Sequence, residues 1–273
     1  MHYQEYHPPN PLGRFVKCIW TMEGAGEPGP GVERILPDGC SELVFNLADS
    51  FVQHSLDGTL RRQPGNLLVG QMRQHILIQP TGRVNLVGVR FWPGGAYPFL
   101  NVPQDELAGS VLDAGDVLGN STRHIASRVG DGATADLRAK QAESALVEMS
   151  RRSRCREDEP LSQAIGLILR TGGQVSIRYL ADQMGTTLRS LDRRFNARVG
   201  LTPKALSRII RFQRVVRALE HKRANRDLLR VALDCGYYDQ SHFNREFKEI
   251  AGAEPTSYFS TSNAMSEHFT RES

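Results

Sequence analysis

The 273-residue sequence has only four cysteines, Cys18, Cys40, Cys155 and Cys235, and no two have the close spacing of a zinc site. A disulfide framework is therefore not expected, and this cysteine usage favours a reducing cytosol. The apolar runs are short, which argues against a transmembrane helix. The segment from Met1 to Tyr6 has neither a basic stretch nor an apolar one, so no secretory signal is expected. We therefore expect a cytoplasmic protein without a membrane partner.

Histidine is also scarce, and the sequence contains no His-x-His pair. A metal site requires several histidines and carboxylates that converge on one point. His54, His75 and His124 are scattered along the chain, and Glu42 and His75 could meet across strands only by chance. We therefore expect no metal, no cofactor and no catalytic residues, and we predict that the protein is not an enzyme.

What the sequence does contain is a repeat in its C-terminal third. Ala181 is followed four residues later by Gly185, and Ala232 is followed by Gly236 at the same distance. A small residue lets two helices cross closely, and a glycine allows the sharp turn between them. The later positions of the repeat are Arg193, Phe195, Gly200 and Pro203 in the first copy, and Arg245, Phe247, Gly252 and Pro255 in the second. The pattern predicts two tandem helix-turn-helix motifs; the alternative is two ordinary amphipathic helix pairs.

The second helix of each copy is expected to bury one face and to present a polar face. Thr186 or Thr187 can cap this helix in the first copy, and Asp239 can cap it in the second. Arginine pairs with guanine, and glutamine or asparagine pairs with adenine, so the polar faces can read base edges. The residues expected to contact bases are Arg189, Asp192, Arg193, Gln240, Ser241, Asn244 and Arg245.

Positive charge is concentrated in the same region, although the whole chain has a net charge of only +4. Residues 187–226 contain 12 basic residues and two acidic ones, Asp192 and Glu220. Such a stripe is typical of a surface that binds phosphates, and it predicts salt-sensitive binding. The candidate phosphate contacts are Thr187, Ser190, Arg194, Lys204, Arg208, Arg211 and His242. For His242 the alternative is a packing role on the helix surface.

The two copies are connected by a predicted long helix from about Pro203 to Leu219. Thr202 is a suitable N-cap, and proline is favoured at the first helical position. A helix of this length would span about 25 Å. Such a rod could hold two recognition helices on neighbouring major-groove segments, which lie about 34 Å apart along one face of the duplex.

Residues from about 161 to 260 resemble the DNA-binding domain of AraC/XylS-family transcription regulators. The resemblance rests on ordered segments that include Met184-Gly185, Arg193-Arg194-Phe195, Val199-Gly200-Leu201-Thr202-Pro203 and Asp239-Gln240-Ser241-His242-Phe243. It implies a seven-helix, two-motif domain that binds double-stranded promoter DNA as a sequence-specific regulator in the nucleoid. It also implies that the residues named above face the bases. RNA polymerase, a small-molecule effector and a second copy of the chain are further candidate partners.

Two alternatives remain beside this reading. One is a DNA-binding accessory protein that has no effector. The other is a cysteine alkyl-acceptor protein that repairs DNA, as some AraC-type proteins do. That chemistry requires a reactive cysteine and usually a four-cysteine zinc cluster. Cys18 and Cys40 fall in predicted strands without such a cluster, so they are expected to be small core residues.

The N-terminal half is predicted to be β-rich, and the whole chain to be an α+β protein. Candidate strands are residues 15–20, 42–47, 66–70, 75–78 and 85–91, and candidate helices are residues 104–112, 121–129 and 134–150. These strands suggest a sandwich or a small barrel. The segments Leu36-Pro37-Asp38-Gly39 and Gly88-Val89-Arg90-Phe91-Trp92 resemble the N-terminal domain of an AraC-type subgroup, which implies a cupin-like barrel. We expect a sensing or dimerisation domain at 1–153, a polar linker near 150–160, an all-α DNA-binding domain at 161–260 and a tail at 261–273.

Arg90 and Glu42 are the candidate pocket residues of this N-terminal domain. Arg90 alternates with Val89 and Phe91, so it points to the opposite face of its strand. That face is either solvent or the interior of the barrel. In the interior, Arg90 could bind an anionic effector; the alternative is an arginine that faces solvent or is already salt-bridged.

Overall fold

The computed structural model describes residues 1–24, 31–55, 57–152, 158–221 and 228–260. Its N-terminal part is β-rich, with strands β1 (His2–Tyr6), β2 (Val16–Gly24), β3 (Glu33–Ile35), β4 (Ser41–Asn46), β5 (Phe51–His54), β6 (Leu60–Arg62), β7 (Asn66–Val69), β8 (Ile76–Pro80), β9 (Val84–Phe91) and β10 (Val111–Asp113). They form a six-stranded antiparallel sheet in the order β1-β2-β9-β4-β7-β10 and a four-stranded antiparallel sheet in the order β3-β8-β5-β6.

The six-stranded sheet is buried on both faces, and the period-2 alternation of its strands explains why. On β4, Leu43 and Phe45 face one apolar core while Val44 faces the other. The core on the Val44 side also contains Phe51 and Ile78 of the four-stranded sheet, so it fills the space between the sheets. The core on the other side is completed by helices. The N-terminal region therefore has three layers: sheet, sheet and helices.

The helical layer is formed by α1 (Tyr97–Leu100), α2 (Ala114–Leu118), α3 (Asn120–Gly130) and α4 (Ala135–Arg152). Apolar residues such as Ile125 on α3 and Leu146 on α4 pack against the six-stranded sheet. The helices predicted at 121–129 and 134–150 thus correspond to α3 and α4. The predicted fold class, a β-rich region followed by helices, is confirmed.

One predicted N-terminal helix was wrong. Residues 104–112 form a single 3-10 turn at Gln104–Glu106, and the chain then enters β10. Gly109 has φ of +74°, which interrupts a right-handed helix, and Val111 then pairs with Val69 of β7. The apolar residues of this segment that suggested a helix instead lie in or next to an edge strand of the six-stranded sheet. The predictions also omitted the five strands β1, β3, β5, β6 and β10, most of which are short.

The C-terminal region contains seven helices among the described residues. They are α5 (Glu159–Arg170), α6 (Ile177–Gln183), α7 (Leu188–Val199), α8 (Pro203–His221), α9 (Leu228–Asp234), α10 (Gln240–Ala251) and α11 (Pro255–Ser260). The predicted linker near 150–160 lies partly outside the described residues, as do Cys155 and the tail 261–273. None of the described helices is long and apolar enough to cross a bilayer.

The long helix α8 joins two separate apolar cores. Its first half contributes Leu206 and Ile209 to a core shared with α5, α6 and α7. Its second half contributes Phe212 and Val216 to a core shared with α9, α10 and α11. One continuous helix therefore connects the two halves of the C-terminal region, as the sequence predicts.

The loop between β3 and β4 docks on the C-terminal region. Leu36 of this loop belongs to the core formed by α8, α9 and α10. The Gln213 side-chain amide on α8 donates a buried hydrogen bond of 2.8 Å to the Pro37 carbonyl. A Cβ atom at Gly39 would lie 3.4 Å from Cδ1 of Ile210. The two regions thus share a packed contact and not only a chain connection.

Candidate nucleic-acid interface

Both copies of the repeat fold into the same helix–turn–helix geometry. Gly185 has φ of +59° and Gly236 has φ of +91°, so both turns use a backbone conformation that glycine adopts without strain. Two residues before the end of the first helix of each motif, buried Ala181 and Ala232 allow the two helices to approach closely. Their carbonyls accept equivalent hydrogen bonds, at 3.0 Å from the Thr186 amide and at 3.1 Å from the Tyr237 amide.

The second helix of each motif, α7 or α10, is capped at both ends. The Thr187 hydroxyl accepts a 3.2 Å bond from the Ser190 amide, and the Asp239 carboxylate accepts a 2.7 Å bond from the His242 amide. Of the two threonines that could cap α7, Thr187 is therefore the cap. Each helix ends at a left-handed glycine, Gly200 or Gly252.

The residues expected to contact bases lie on the outer faces of α7 and α10. Arg189, Arg193, Gln240, Ser241 and Arg245 are exposed, and Asp192 and Asn244 are half-buried. Leu191, Phe195, Phe243 and Phe247 point the other way, into the cores. Among the residues that the structure describes, Arg189, Arg193 and Arg245 form no ion pair, so their guanidinium groups are available. Their contact with bases stays a prediction.

Several of the candidate phosphate contacts already have partners within the protein. Arg194 forms a two-pronged ion pair with Asp158, in which its Nε lies 2.6 Å from the carboxylate. Thr187 caps α7, and Ser190 is half-buried beside it. Lys204 is exposed at the start of α8. Of this set, Lys204 offers the most accessible charge, and the phosphate assignments stay predictions.

Arg208 and Arg211 are organised by Glu246, a residue that the sequence did not single out. The Glu246 carboxylate is 5% exposed, and it accepts bonds of 2.8 Å from Arg208 Nε and 2.9 Å from Arg211 Nη2. His242 Nε2 lies 3.8 Å from the same carboxylate. Burial raises the pKa of Glu246, but the neighbouring Tyr237 hydroxyl and the two arginines outweigh burial and hold it below its usual range. Glu246 therefore fixes α10 to α8.

A signal for this ion cluster was present in the repeat. Position 246 in the second copy corresponds to position 194 in the first, and the charge is opposite at these two positions. Arg194 pairs with Asp158, which caps α5, while Glu246 pairs with arginines of α8. Each motif thus uses the same helix position to attach its second helix to a neighbour. A charge reversal at equivalent positions indicates a structural ion pair that differs between the copies.

In the N-terminal region, Arg90 faces the space between the two sheets. Its side chain is 3% exposed, and its Nε lies 2.6 Å from Glu42 and 3.6 Å from Asp38. Burial tends to raise the pKa of Asp38, but Arg90 and Lys17 hold it below its usual value. For Glu42, burial is the larger effect and the pKa is raised. The salt-bridged arrangement is therefore the one observed, and the protein's own carboxylates already neutralise Arg90.

Cys18 and Cys40 lie where a nucleophile would be poorly activated. Cys18 is buried in β2, and burial raises the pKa of its thiol to about 12. Cys40 lies immediately before β4 rather than within a strand, which corrects its predicted position, and burial also raises its pKa. Because the thiolate is the reacting species, these shifts disfavour the alkyl-acceptor alternative.

Comparisons with known proteins place two family matches on this chain. Residues 4–113 match a domain of unknown function, DUF6597, and residues 180–261 match a helix-turn-helix domain. No curated protein matches the sequence.

Three solved structures are similar to the chain at low identity. ToxT from Vibrio cholerae is 10% identical with a TM-score of 0.46, over 94% of this chain and 98% of that chain. An unsaturated fatty acid bound ToxT from strain SCE256 is 11% identical with a TM-score of 0.44, over 85% and 96%. The AraC-like transcriptional activator CuxR is 13% identical with a TM-score of 0.29, over 79% of each chain.

The helix-turn-helix match covers the segment in which the two motifs, the connecting helix α8 and the capped recognition helices have just been described. Residues 180–261 therefore belong to a helix-turn-helix domain, a class of domain that binds DNA.

Proposed function

We propose that one protomer inserts α7 and α10 into two successive major-groove segments of promoter DNA. The observation that carries this proposal is the equivalence of Arg193 and Arg245. Both are exposed, both lie six residues after the N-cap of their helix, and both belong to the same position of a folded repeat. An exposed arginine at this position can pair with guanine through two hydrogen bonds.

The spacing of the two helices fits this role. Helix α8 has 19 residues and therefore spans about 28 Å. Successive major-groove segments on one face of a duplex lie about 34 Å apart. Because α7 packs against the first half of α8 and α10 against the second, the helix length is of the right order to separate the two readers. Arg189, Gln240, Ser241 and the half-buried Asp192 and Asn244 complete the proposed base contacts.

The test begins with a duplex selected by the full-length protein from a random pool. Footprinting should then show two protected segments about one helical turn apart. Arg193→Ala should weaken binding by about 1–3 kcal/mol, which is roughly 5- to 150-fold, and should reduce protection of one segment. Arg245→Ala should do the same at the other segment. Arg61→Ala is the matched control, because Arg61 is exposed on β6, which is the edge strand of the four-stranded sheet opposite β3.

Three outcomes would contradict this proposal. The selection could yield no preferred sequence, the footprint could show one segment only, or both variants could bind as the wild type does. Equal losses in the Arg61→Ala control would show that the effect comes from total charge and not from base reading.

We further propose that an anionic small molecule modulates this regulator. A cavity of about 730 Å³ lies between the two regions, and its lining includes Lys17 from β2, Arg170 from α5, and Arg214 and Arg217 from α8. Glu5 and Asp38 also line it, so four lysine or arginine side chains face two carboxylates, and the excess of positive charge favours a carboxylate or phosphate group. A ligand there would contact the N-terminal region and the helix that connects the two motifs.

A thermal-shift screen of carboxylic acids and phosphorylated metabolites tests this second proposal. A ligand that binds the folded protein should raise the unfolding temperature as its concentration rises. The shift should vanish in Lys17→Gln and Arg214→Gln, and it should persist in Arg61→Gln. If no compound of either class raises the wild-type unfolding temperature, the accessory protein without an effector is the better description.

A further inference from the structure

The two recognition helices end at equivalent glycines, and the N-terminal region contacts both. Gly200 ends α7 and Gly252 ends α10, at positions 52 residues apart in the repeat. We infer that the N-terminal region is a brace that sets the position of α7 relative to α10. This inference rests on the proposed binding of the two helices to two successive major-groove segments. Regulation would then act on the distance between the two recognition helices, through the contacts that the N-terminal region makes with them.

At the end of α7 the contact is made by the segment that follows β9. The carbonyl oxygen of Gln104 would lie 2.8 Å from a Cβ atom at Gly200, so only glycine fits this approach. The Arg198 guanidinium stacks over the Tyr97 ring at 4.0 Å from its centroid. A Cβ atom at Gly94 would lie 3.6 Å from the Val199 side chain. The last turn of α7 is therefore held by backbone, ring and glycine contacts together.

At the end of α10 the contact is made by β3 and by the residue before β8. Arg34 Nη1 donates a 2.7 Å bond to the carbonyl of Ala251, the last residue of α10. The His75 amide donates a 2.8 Å bond to the Ile250 carbonyl, and a Cβ atom at Gly252 would overlap the His75 ring. A cation at a helix C-terminus is also favoured by the helix dipole. Burial and the nearby Arg34 lower the pKa of His75, so this ring is neutral.

These contacts are independent of the connection through α8. Helix α8 links the motifs along their cores, whereas the N-terminal region links the opposite, C-terminal ends of their recognition helices. Because the two motifs are connected at two different points, both the distance between their recognition helices and the rotation of one relative to the other are restricted. The loop around Leu36 also enters the core of the second motif, and this contact adds to the same brace.

The brace predicts that removing the α10 contacts widens the distribution of distances between the recognition helices. Spin labels on Arg189→Cys and Ser241→Cys, with Cys40 and Cys155 replaced by serine, report this distance by pulsed electron paramagnetic resonance in the full-length protein. The wild-type background should give one narrow distribution. Arg34→Ala with His75→Ala removes the Arg34 bond and the ring packing at Gly252 while the His75 amide bond stays, and it should broaden or shift the distribution. Arg61→Ala should leave it unchanged.

The second readout is spacing tolerance on DNA. Duplexes with one and two base pairs inserted between the two protected segments should bind the wild type much more weakly than the selected duplex. For the Arg34→Ala, His75→Ala protein, the ratio of the affinity for the selected duplex to the affinity for the lengthened duplexes should be at least threefold smaller than for the wild type. Tyr97→Ala should act in the same direction from the α7 side.

The inference fails if the double variant keeps both the wild-type distance distribution and the wild-type spacing preference. It also fails if the wild type binds all spacings equally while still protecting two segments. By contrast, a wild type that protects one segment or none would refute the two-segment proposal itself, so the two failures are distinguishable. An unfolding curve for each variant separates a loss of bracing from a loss of folding.

Discussion

Replacing Glu246 with glutamine tests whether the α8–α10 ion cluster supports the DNA-binding region. Glutamine keeps the shape of the side chain but removes the charge, and its amide group presents donors to the donors of Arg208 and Arg211. The Glu246 side chain is 5% exposed and Arg211 is 15% exposed, so water replaces little of the lost interaction. Removing one partner of a buried ion pair costs about 3–5 kcal/mol. Because one amide oxygen still accepts a bond, we expect a loss of about 2–3 kcal/mol.

Urea unfolding at pH 7, followed by far-ultraviolet circular dichroism, measures this loss. Glu249→Gln is the control, because Glu249 is about half exposed and, among the described residues, pairs only with Arg208; its cost should stay below about 1 kcal/mol. A Glu246→Gln protein as stable as the control would refute the reasoning, since it would mean that water or another group compensates Arg211.

The same ion cluster predicts a pH dependence with a definite sign. The pKa of Glu246 is lower in the folded state than in the unfolded chain, where a glutamate carboxyl has a pKa of about 4.3. Its contribution to the free energy of unfolding is therefore complete above the unfolded pKa and is lost as the pH falls through the folded pKa. The stability difference between wild type and Glu246→Gln should therefore shrink in acid. A difference that stays constant from pH 7 to below pH 4 would contradict the assignment of the effect to this carboxylate.

Three further changes test other parts of the structure. Asp239→Ala removes the side chain that accepts the His242 amide at the start of α10, and should cost about 1 kcal/mol together with weaker protection of one DNA segment in footprinting. Leu36→Ala removes an N-terminal side chain from the core of the second motif and should cost about 2–5 kcal/mol in urea unfolding; an unchanged midpoint would contradict the docking. Arg90→Met leaves Glu42 without its closest partner and should lower the calorimetric unfolding temperature, for a cost of about 3–5 kcal/mol, whereas no change would mean that the site is open to water.

The sequence predicted the C-terminal fold well because its signals are local. A glycine that needs positive φ, a cap residue and an apolar spacing of four each act within one or two helical turns. Gly185, Asp239 and the pair Phe243 and Phe247 therefore revealed the motifs without any knowledge of distant contacts. Their duplication made the prediction stronger than one copy could.

The N-terminal half was predicted less completely because short strands depend on their neighbours. The three residues of β10 pair with residues of β7 that lie 42 to 46 positions earlier in the sequence, and nothing within residues 104–112 indicates that partner. Arg90 was placed on the correct side of its strand by alternation alone. Whether that side was solvent or interior depended on the second sheet that covers it, while the neighbouring strand β4 placed Glu42 opposite Arg90 and the loop before β4 brought Asp38 near it.

The amino-acid sequence by itself determined that this chain carries two equivalent helix-turn-helix motifs and which polar side chains lie on the outer faces of their second helices, because helical period and turn chemistry are set by nearby residues. Only the tertiary structure decided which arginines already form ion pairs within the protein, as Arg208 and Arg211 do with Glu246. It alone also decided that Arg34 and His75 meet the end of α10. These pairs join residues that are far apart in the chain, and charge alone does not identify which partner each one meets in the fold.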